Sequence, residues 1–578
     1  MMPTDQPESR HLLTVGLEDY YQVGAFNRLI QRGQWYRFET RIAHSTARTL
    51  ELLDELGVRA TFFVLGWVAD QLPEVVRSVA EHGHEIASKG YYHRSIRQMT
   101  PAEFRDDLAR AREALQRASG QKVLGYRVAD AWFGPDDLWA LDVLAAEGYD
   151  YDSSVGPILR RFAAEPWRRF AHLHQFGDRT LWEFPISAMD LFGFMIPVAG
   201  GNWFRQFPPS LMKRAVDRWH RTYRAPFVMY FHTWELDPDQ PRITAASWLQ
   251  HVRHYRNLRR VPDLLRYYLG RYRFTAVADF LGLSTGAPRG EAPAPPGPAA
   301  RLGAPTPDPA ASGTDVTPVT IVVPCYNEEL ILPYLANTLQ SVERALADRY
   351  RLHLVLVDDA SRDGTWTSLQ RLFGDRPDCT LVRQERNRGV ALAILEGIRR
   401  APTEIVCSID CDCTYDPHEL ARMIPLLAEG VDLVTASPYH PSGAVRNVPR
   451  WRLALSRAAS ALYRLVLGAR LHTWTACFRV YRRSAMLGRT LRSSGYLGVP
   501  ELAGQLILEG RTVVEYPASL EVRMLGRSKM KIARTILGHL RLLGRFAWLR
   551  LRRPARRPPG VPDSPPASVE APVARRGG

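Results

Sequence analysis

Cysteine is scarce and one-sided. Six residues occur, at 325, 379, 407, 411, 413 and 477, with no CxxC pair among them. That excludes a disulfide-stapled scaffold and points to reduced thiols in a cytoplasmic setting. Long apolar runs are missing too: no stretch of about 18 uncharged apolar residues occurs, so no transmembrane helix is expected. The first residues, MMPTDQPESRHLLTV, lack the basic-then-apolar order of a signal peptide and enter a strand almost at once. No short repeat recurs. Acidic charge is outnumbered, with 60 Asp and Glu against 76 Lys and Arg, a formal net charge of +16. Such a balance favours anionic partners, either phosphorylated substrates or a membrane surface. Nucleic acid is not expected, because no recognised binding motif accompanies the charge.

What is present is globular in character: 46% of the 578 residues are hydrophobic and 10% aromatic, enough for two to four cores. Residues 284–316 are rich in Pro, Ala and Gly without an apolar period and are predicted to be a solvated linker; a similar tail covers 554–578. The blocks on either side of the linker, 1–283 and 317–535, alternate apolar strands with amphipathic helices. This alternation predicts two α/β domains built on mostly parallel sheets.

In the first block, the strand HLLTVGLEDYYQV would deliver Glu18 and Asp19 to a sheet edge, where α/β barrels place their chemistry. Further on come GVRATFFVLGWVAD, GHEIASKGYYHRS, GYRVADAWFG, LWEFPIS and FVMYFHTWELDPDQPR. Together these resemble polysaccharide deacetylases, in particular the branch found with exopolysaccharide gene clusters, over roughly residues 11–283. The resemblance implies a distorted (β/α) barrel with a metal held by a carboxylate and two histidines, an aspartate base and a histidine acid. Carried over by position, the base falls on Gly16, the carboxylate ligand on Glu18 with Asp19 beside it, and the histidine pair on Lys89 and His93. Arg127 matches the arginine that orients the base, and His232 the acid. A lysine ammonium beside two carboxylates takes the role of the metal charge and repels a divalent ion. Zinc and ordinary deacetylation are therefore not expected here, and the domain is read as degenerate.

In the second block, VTIVVPCYNEELILPYL, LHLVLVDDASRDGTW and EIVCSIDCDC each end a strand in acids or a polar turn, the layout of a nucleotide pocket at one sheet edge. The pattern, with RNRGVALAILEGIRRA, TWTACFRVYRR and VRMLGRSKM, resembles family 2 glycosyltransferases of the GT-A fold, a Rossmann-like class. It is closest to the dolichol-phosphate mannosyltransferase group. By that resemblance Pro324, Tyr326, Glu328, Asp358 and Asp359 hold the base and ribose of a nucleotide sugar. Asp410 and Asp412 hold Mg²⁺ or Mn²⁺ on the diphosphate. Arg523, Ser528 and Lys529 would clamp phosphates, with Arg457 and Arg479 as further candidates. Cys411 and Cys413, with one residue between them, do not make a zinc site unaided.

The acceptor is left open between a polyprenyl phosphate, which needs no base, and a glycan hydroxyl, for which Glu501 would serve. Residues 536–553 read as a basic amphipathic helix. Arg534, Arg541, Arg545 and Arg552 share one face, with Ile536, Leu540, Leu543, Ala547 and Leu551 opposite, as expected of a helix lying on anionic headgroups. The expectation is a metal-dependent glycosyltransferase, peripheral at the cytoplasmic face of the membrane. The alternatives are a true bifunctional deacetylase–transferase and a glycan-binding module without catalysis.

Overall fold

The computed structural model describes residues 10–191, 193–286, 316–526 and 532–552. The expected linker and tail, and Ser528 and Lys529 of the phosphate clamp, lie largely or wholly outside them. The chain divides into two compact units.

Among its described residues the first unit carries eleven strands: β1 (His11–Leu17), β2 (Thr61–Val64), β3 (Glu85–Ser88), β4 (Gly125–Tyr126), β5 (Tyr151–Asp152), β6 (His172–Phe176), β7 (Arg179–Glu183), β8 (Ala188–Leu191), β9 (Phe194–Pro197), β10 (Val228–His232) and β11 (Phe274–Thr275). The main sheet runs β10-β1-β2-β3-β4-β5-β7-β6, with β11 also on β1 and β8-β9 as a separate hairpin. Pairing is parallel from β10 through β7, and only β6 runs antiparallel. β1 is buried at all seven positions, as a parallel strand covered on both faces must be. Leu12, Phe63, Ala87, Tyr151, Phe184 and Val228 pack together behind it. The helix Pro101–Ser119 shows how locally its ends are set. Thr100 and Glu103 form a capping box, Pro101 opens the first turn, and Gly120 closes it at φ 69°.

The second unit adds β12 (Thr317–Cys325), β13 (Tyr350–Asp358), β14 (Cys379–Arg383), β15 (Ile405–Ser408), β16 (Leu433–Ser437), β17 (Ala444–Arg446), β18 (Arg479–Arg482), β19 (Val513–Pro517) and β20 (Ser519–Glu521). Seven of them make a sheet ordered β14-β13-β12-β15-β18-β16-β19, in which β18 is antiparallel to both neighbours; β17 and β20 pair separately. Parallel register aligns Cys325 with Asp358, and Val322 with Ser408 just before the Asp-x-Asp run. The polar ends of three strands therefore gather at one edge. The last described helix, Ile532–Arg552, begins four residues earlier than predicted, and its Leu542, Leu543 and Phe546 belong to this unit's core.

Candidate functional site

The carboxylate edge of the first unit holds Glu18 at the end of β1, fully buried. Lys89, just past β3, donates to Glu18 Oε2 at 2.5 Å. His232, ending β10, brings Nδ1 to 2.9 Å from Oε1, and His93 Nε2 lies 3.4 Å from Oε2. Burial works against the Glu18 charge, but the Lys89 ammonium, then His232, outweigh it and hold the carboxyl well below the usual range. The lysine thus occupies the ligand-side position against Glu18.

Two expectations for this site are corrected. Asp19 does not join the Lys89 pair. Its carboxylate turns to Thr40 Oγ1 (2.7 Å) and the Arg41 N–H (2.8 Å), and burial pushes it up to about 6. Arg127 is not poised to orient a base at position 16. Its guanidinium donates to Thr14 Oγ1 at 2.8 Å and to the Ser153 carbonyl and hydroxyl at 3.0 and 2.6 Å. The vacancy at Gly16 is also filled: a Cβ there would stand 2.3 Å from His232 Nδ1. The sequence could not signal this, because the two residues meet only through the β1–β10 register, Gly16 opposite His232.

At the second unit's edge, Asp358 is buried, accepts from the Ser361 N–H at 3.0 Å and faces Arg383 Nε at 3.4 Å. Asp359 lines the larger cavity and also has a structural task. Its two oxygens accept the Arg388 and Gly389 N–H groups, both at 2.7 Å, and so fix the RNRG turn. Gly389 sits there at φ 89°, where a Cβ would come within 2.3 Å of the Gly495 backbone, so only glycine fits.

A cavity of about 590 Å³ beside this turn is lined by Tyr326, Ser361, Arg362, Arg383, Gln384 and Asn387, among others. Gln384 was missed by sequence reasoning. Its Nε2 and Oε1 are both buried and have no hydrogen-bond partner among the described residues, a costly state for an amide unless a ligand completes it. No sequence signal marked it beyond its place directly after an apolar strand.

A second cavity, of about 1020 Å³, joins Pro324, Tyr326 and Glu328 to Asp410, Asp412 and Arg523. It continues over Trp451, Leu455, Leu462, Ile536 and Leu540. Burial, then the neighbouring Asp412 charge, pushes Asp410 up to about 7. Two carboxylates competing in this way fit a hard divalent cation, and the Cys325 and Cys411 thiols line the same cavity. Arg523 spans the site, paired with Glu328 and 3.5 Å from Asp412 Oδ2. Among the described residues no cluster of three or more His, Cys, Asp or Glu is arranged as a closed metal cage.

Three further expectations are corrected. Arg479 is not a clamp residue: it is buried, donating to Thr435 Oγ1 and the Val499 and Trp474 carbonyls. Arg457 is exposed, 5.4 Å over the Tyr439 ring, and is not a lining residue of this cavity. Glu501 is not free to serve as a base. It is 0% exposed, accepts the Arg492 and Ser493 N–H groups at 3.1 and 2.7 Å, and pairs with Arg545. Burial alone would raise its pKa, but these donors hold it below the ordinary value. The cysteines are free thiols, and Cys411 approaches Cys325 (Sγ···Sγ 3.8 Å).

A sheet edge that gathers strand-end acids, an Asp-x-Asp pair and a basic arm is the layout expected of a GT-A glycosyltransferase. Family models agree along the chain: Glycosyl transferase family 2 matches residues 320–487, Polysaccharide deacetylase residues 34–139, and Domain of unknown function (DUF3473) residues 153–282. The polyprenol monophosphomannose synthase of Mycolicibacterium smegmatis is 35% identical over 218 residues, 36% of this chain and 80% of that protein. The undecaprenyl-phosphate mannosyltransferase of Micrococcus luteus is 29% identical over 218 residues, 37% of this chain and 87% of that protein. Among solved structures, a CE4 family pseudoenzyme from Bacillus anthracis aligns with a TM-score of 0.27 and 12% identity, over 48% of this chain and 66% of that one. The chain belongs to glycosyl transferase family 2, and its enzyme is a glycosyltransferase preceded by a deacetylase-type unit.

Proposed function

We propose that the second unit transfers a sugar from a nucleotide sugar to a polyprenyl phosphate, working at an anionic membrane surface on its cytoplasmic side. The observation that carries this is the continuity of the larger cavity, from the Asp410–Asp412 pair into an apolar groove between the helices Arg450–Leu467 and Ile532–Arg552. A phosphate head beside the carboxylate–arginine site and a hydrocarbon tail in the groove match that shape and polarity. The two relatives named above carry polyprenol or undecaprenyl phosphate in their names.

Asp410 and Asp412 would hold Mg²⁺ or Mn²⁺, which supplies positive charge to the diphosphate leaving group. Arg523, released from Glu328 and Asp412, would pair with phosphate oxygens. Tyr326 and Gln384 would receive the base. With Glu501 engaged elsewhere, an acceptor that is already anionic suits the site better than a hydroxyl awaiting deprotonation. For the first unit we propose no hydrolysis by the standard route, because Lys89 and His232 fill the places of ligand and base.

The test is a panel of nucleotide sugars with polyprenyl phosphate, polyprenol and a soluble glycan as acceptors. Lipid-phosphate product, absent with polyprenol and lost in Asp412→Ala, is the expected result. Efficient transfer to the soluble glycan alone would overturn the lipid assignment.

A further inference from the structure

The hairpin of β6 and β7 bears a histidine pair that neither carboxylate edge uses. His172 and His174 are two apart on a strand, so both rings leave the same face. Their Nε2 atoms are 3.0 Å apart. His172 Nδ1 lies 2.7 Å from the Phe170 carbonyl oxygen, a contact that only an N–H can make. The proton of a neutral His172 is thereby fixed on Nδ1, and its Nε2 lone pair points at His174. Trp167 covers the His172 ring edge-on, with centroids 4.7 Å apart. Beside the pair, Arg168 donates to both oxygens of Glu165, at 2.8 and 3.1 Å.

We propose that His172 and His174 hold a borderline divalent cation, Zn²⁺ or Cu²⁺, through their two Nε2 atoms, with solvent completing the coordination. The spacing supports it: two imidazole nitrogens at roughly 2.0–2.1 Å from one ion, at angles between square and tetrahedral, lie about 2.9–3.4 Å apart. Imidazole selects Zn²⁺, Cu²⁺ or Ni²⁺ over Mg²⁺ and Ca²⁺. The Phe170 carbonyl is the outer partner that orients a metal-binding histidine. Without metal, His174 donates its Nε2 proton to His172. On binding, that proton moves to Nδ1 through solvent, both Nε2 lone pairs face the ion, and no net proton is released.

Isothermal titration of the full chain with Zn²⁺, in excess Mg²⁺ to fill oxygen-donor sites, tests the assignment. One Zn²⁺ should bind, His172→Gln and His174→Gln should each weaken binding about tenfold or more, and the surface variant His82→Gln should match wild type. No binding by wild type, or unchanged binding in the double variant, would overturn the site and leave an imidazole–imidazole hydrogen bond. If either variant misfolds, the electron paramagnetic resonance spectrum of wild type with one equivalent of Cu²⁺ decides. Hyperfine structure from two imidazole nitrogens supports the site, and fewer than two refutes it.

Discussion

Glu18 is buried against the Lys89 ammonium and two histidines, so its neighbours can be tested by stability instead of activity. Lys89→Met leaves a buried carboxylate short of its main counter-charge, and unfolding in urea should show a loss of about 3 kcal/mol. The pH dependence has a definite sign. The folded pKa of Glu18 is depressed, so its contribution is fully present above the unfolded value, about 4.3, and is lost as pH falls through the folded one. Wild type should therefore lose stability more steeply than Glu18→Gln in acid. Rebuilding the missing base is harder than the sequence alone implies. With His232 Nδ1 2.3 Å from a Cβ at position 16, Gly16→Asp must displace a packed ring at a cost of about 1–3 kcal/mol. Lys89→His with Gly16→Asp should therefore release no acetate from N-acetylated oligosaccharides. Glu501→Gln is the counterpart in the second unit: a drop in melting temperature with transfer kept within about tenfold, because the residue braces backbone and Arg545. A loss of transfer of about 10²-fold or more in a fully folded variant would return Glu501 to the role of base.

The helix Ile532–Arg552 shows what an element's sequence reveals and what it withholds. Its period announced a helix with apolar and basic residues, but apolar side chains occur around much of the circumference, and sequence alone does not say which are covered. Leu542, Leu543 and Phe546 are buried in the unit's core, whereas Leu537 and Leu551 are 55% and 86% exposed. Arg545, assigned to the headgroup face, turns inward to Glu501, a partner far away in the chain. Arg552 instead lies 3.9 Å over the exposed Trp548. The strand ends were legible for the opposite reason: an apolar run that stops in Asp358 or before Asp410 carries both its burial and its edge in consecutive residues. The pairings at Gly16, Arg127 and Glu501 depend on register and packing between distant segments, which local pattern does not encode. Deleting the helix would thus dismantle the core and tell nothing about membranes. Replacing Leu537, Leu540, Trp548 and Leu551 by serine leaves the buried face intact. It should reduce sedimentation with anionic vesicles severalfold at unchanged melting temperature. Equal binding by this variant would remove the helix from the membrane contact.

At the scale of the whole chain, the two units have separate cores, one around Leu12, Phe63 and Val228 and the other around Val322, Trp474 and Phe546. Separate cores unfold as separate cooperative steps when each buries enough apolar surface. Calorimetry of the full chain should then resolve two transitions that respond to different lesions. A nucleoside diphosphate with Mn²⁺ stabilises only the unit that binds it, by about 2.7 kcal/mol at a ligand concentration 100 times Kd, so one transition should rise by several degrees and the other stay in place. Asp412→Ala should abolish that rise without moving either transition in the absence of ligand, because it removes a charge at a strand edge and no core atom. Lys89→Met should lower the other transition alone and leave the nucleotide-dependent rise and the transferase rate unchanged. If Lys89→Met instead slowed transfer, the deacetylase-type unit would be coupled to the transferase, and its Glu18 cluster would have to be counted as part of the enzyme's working machinery.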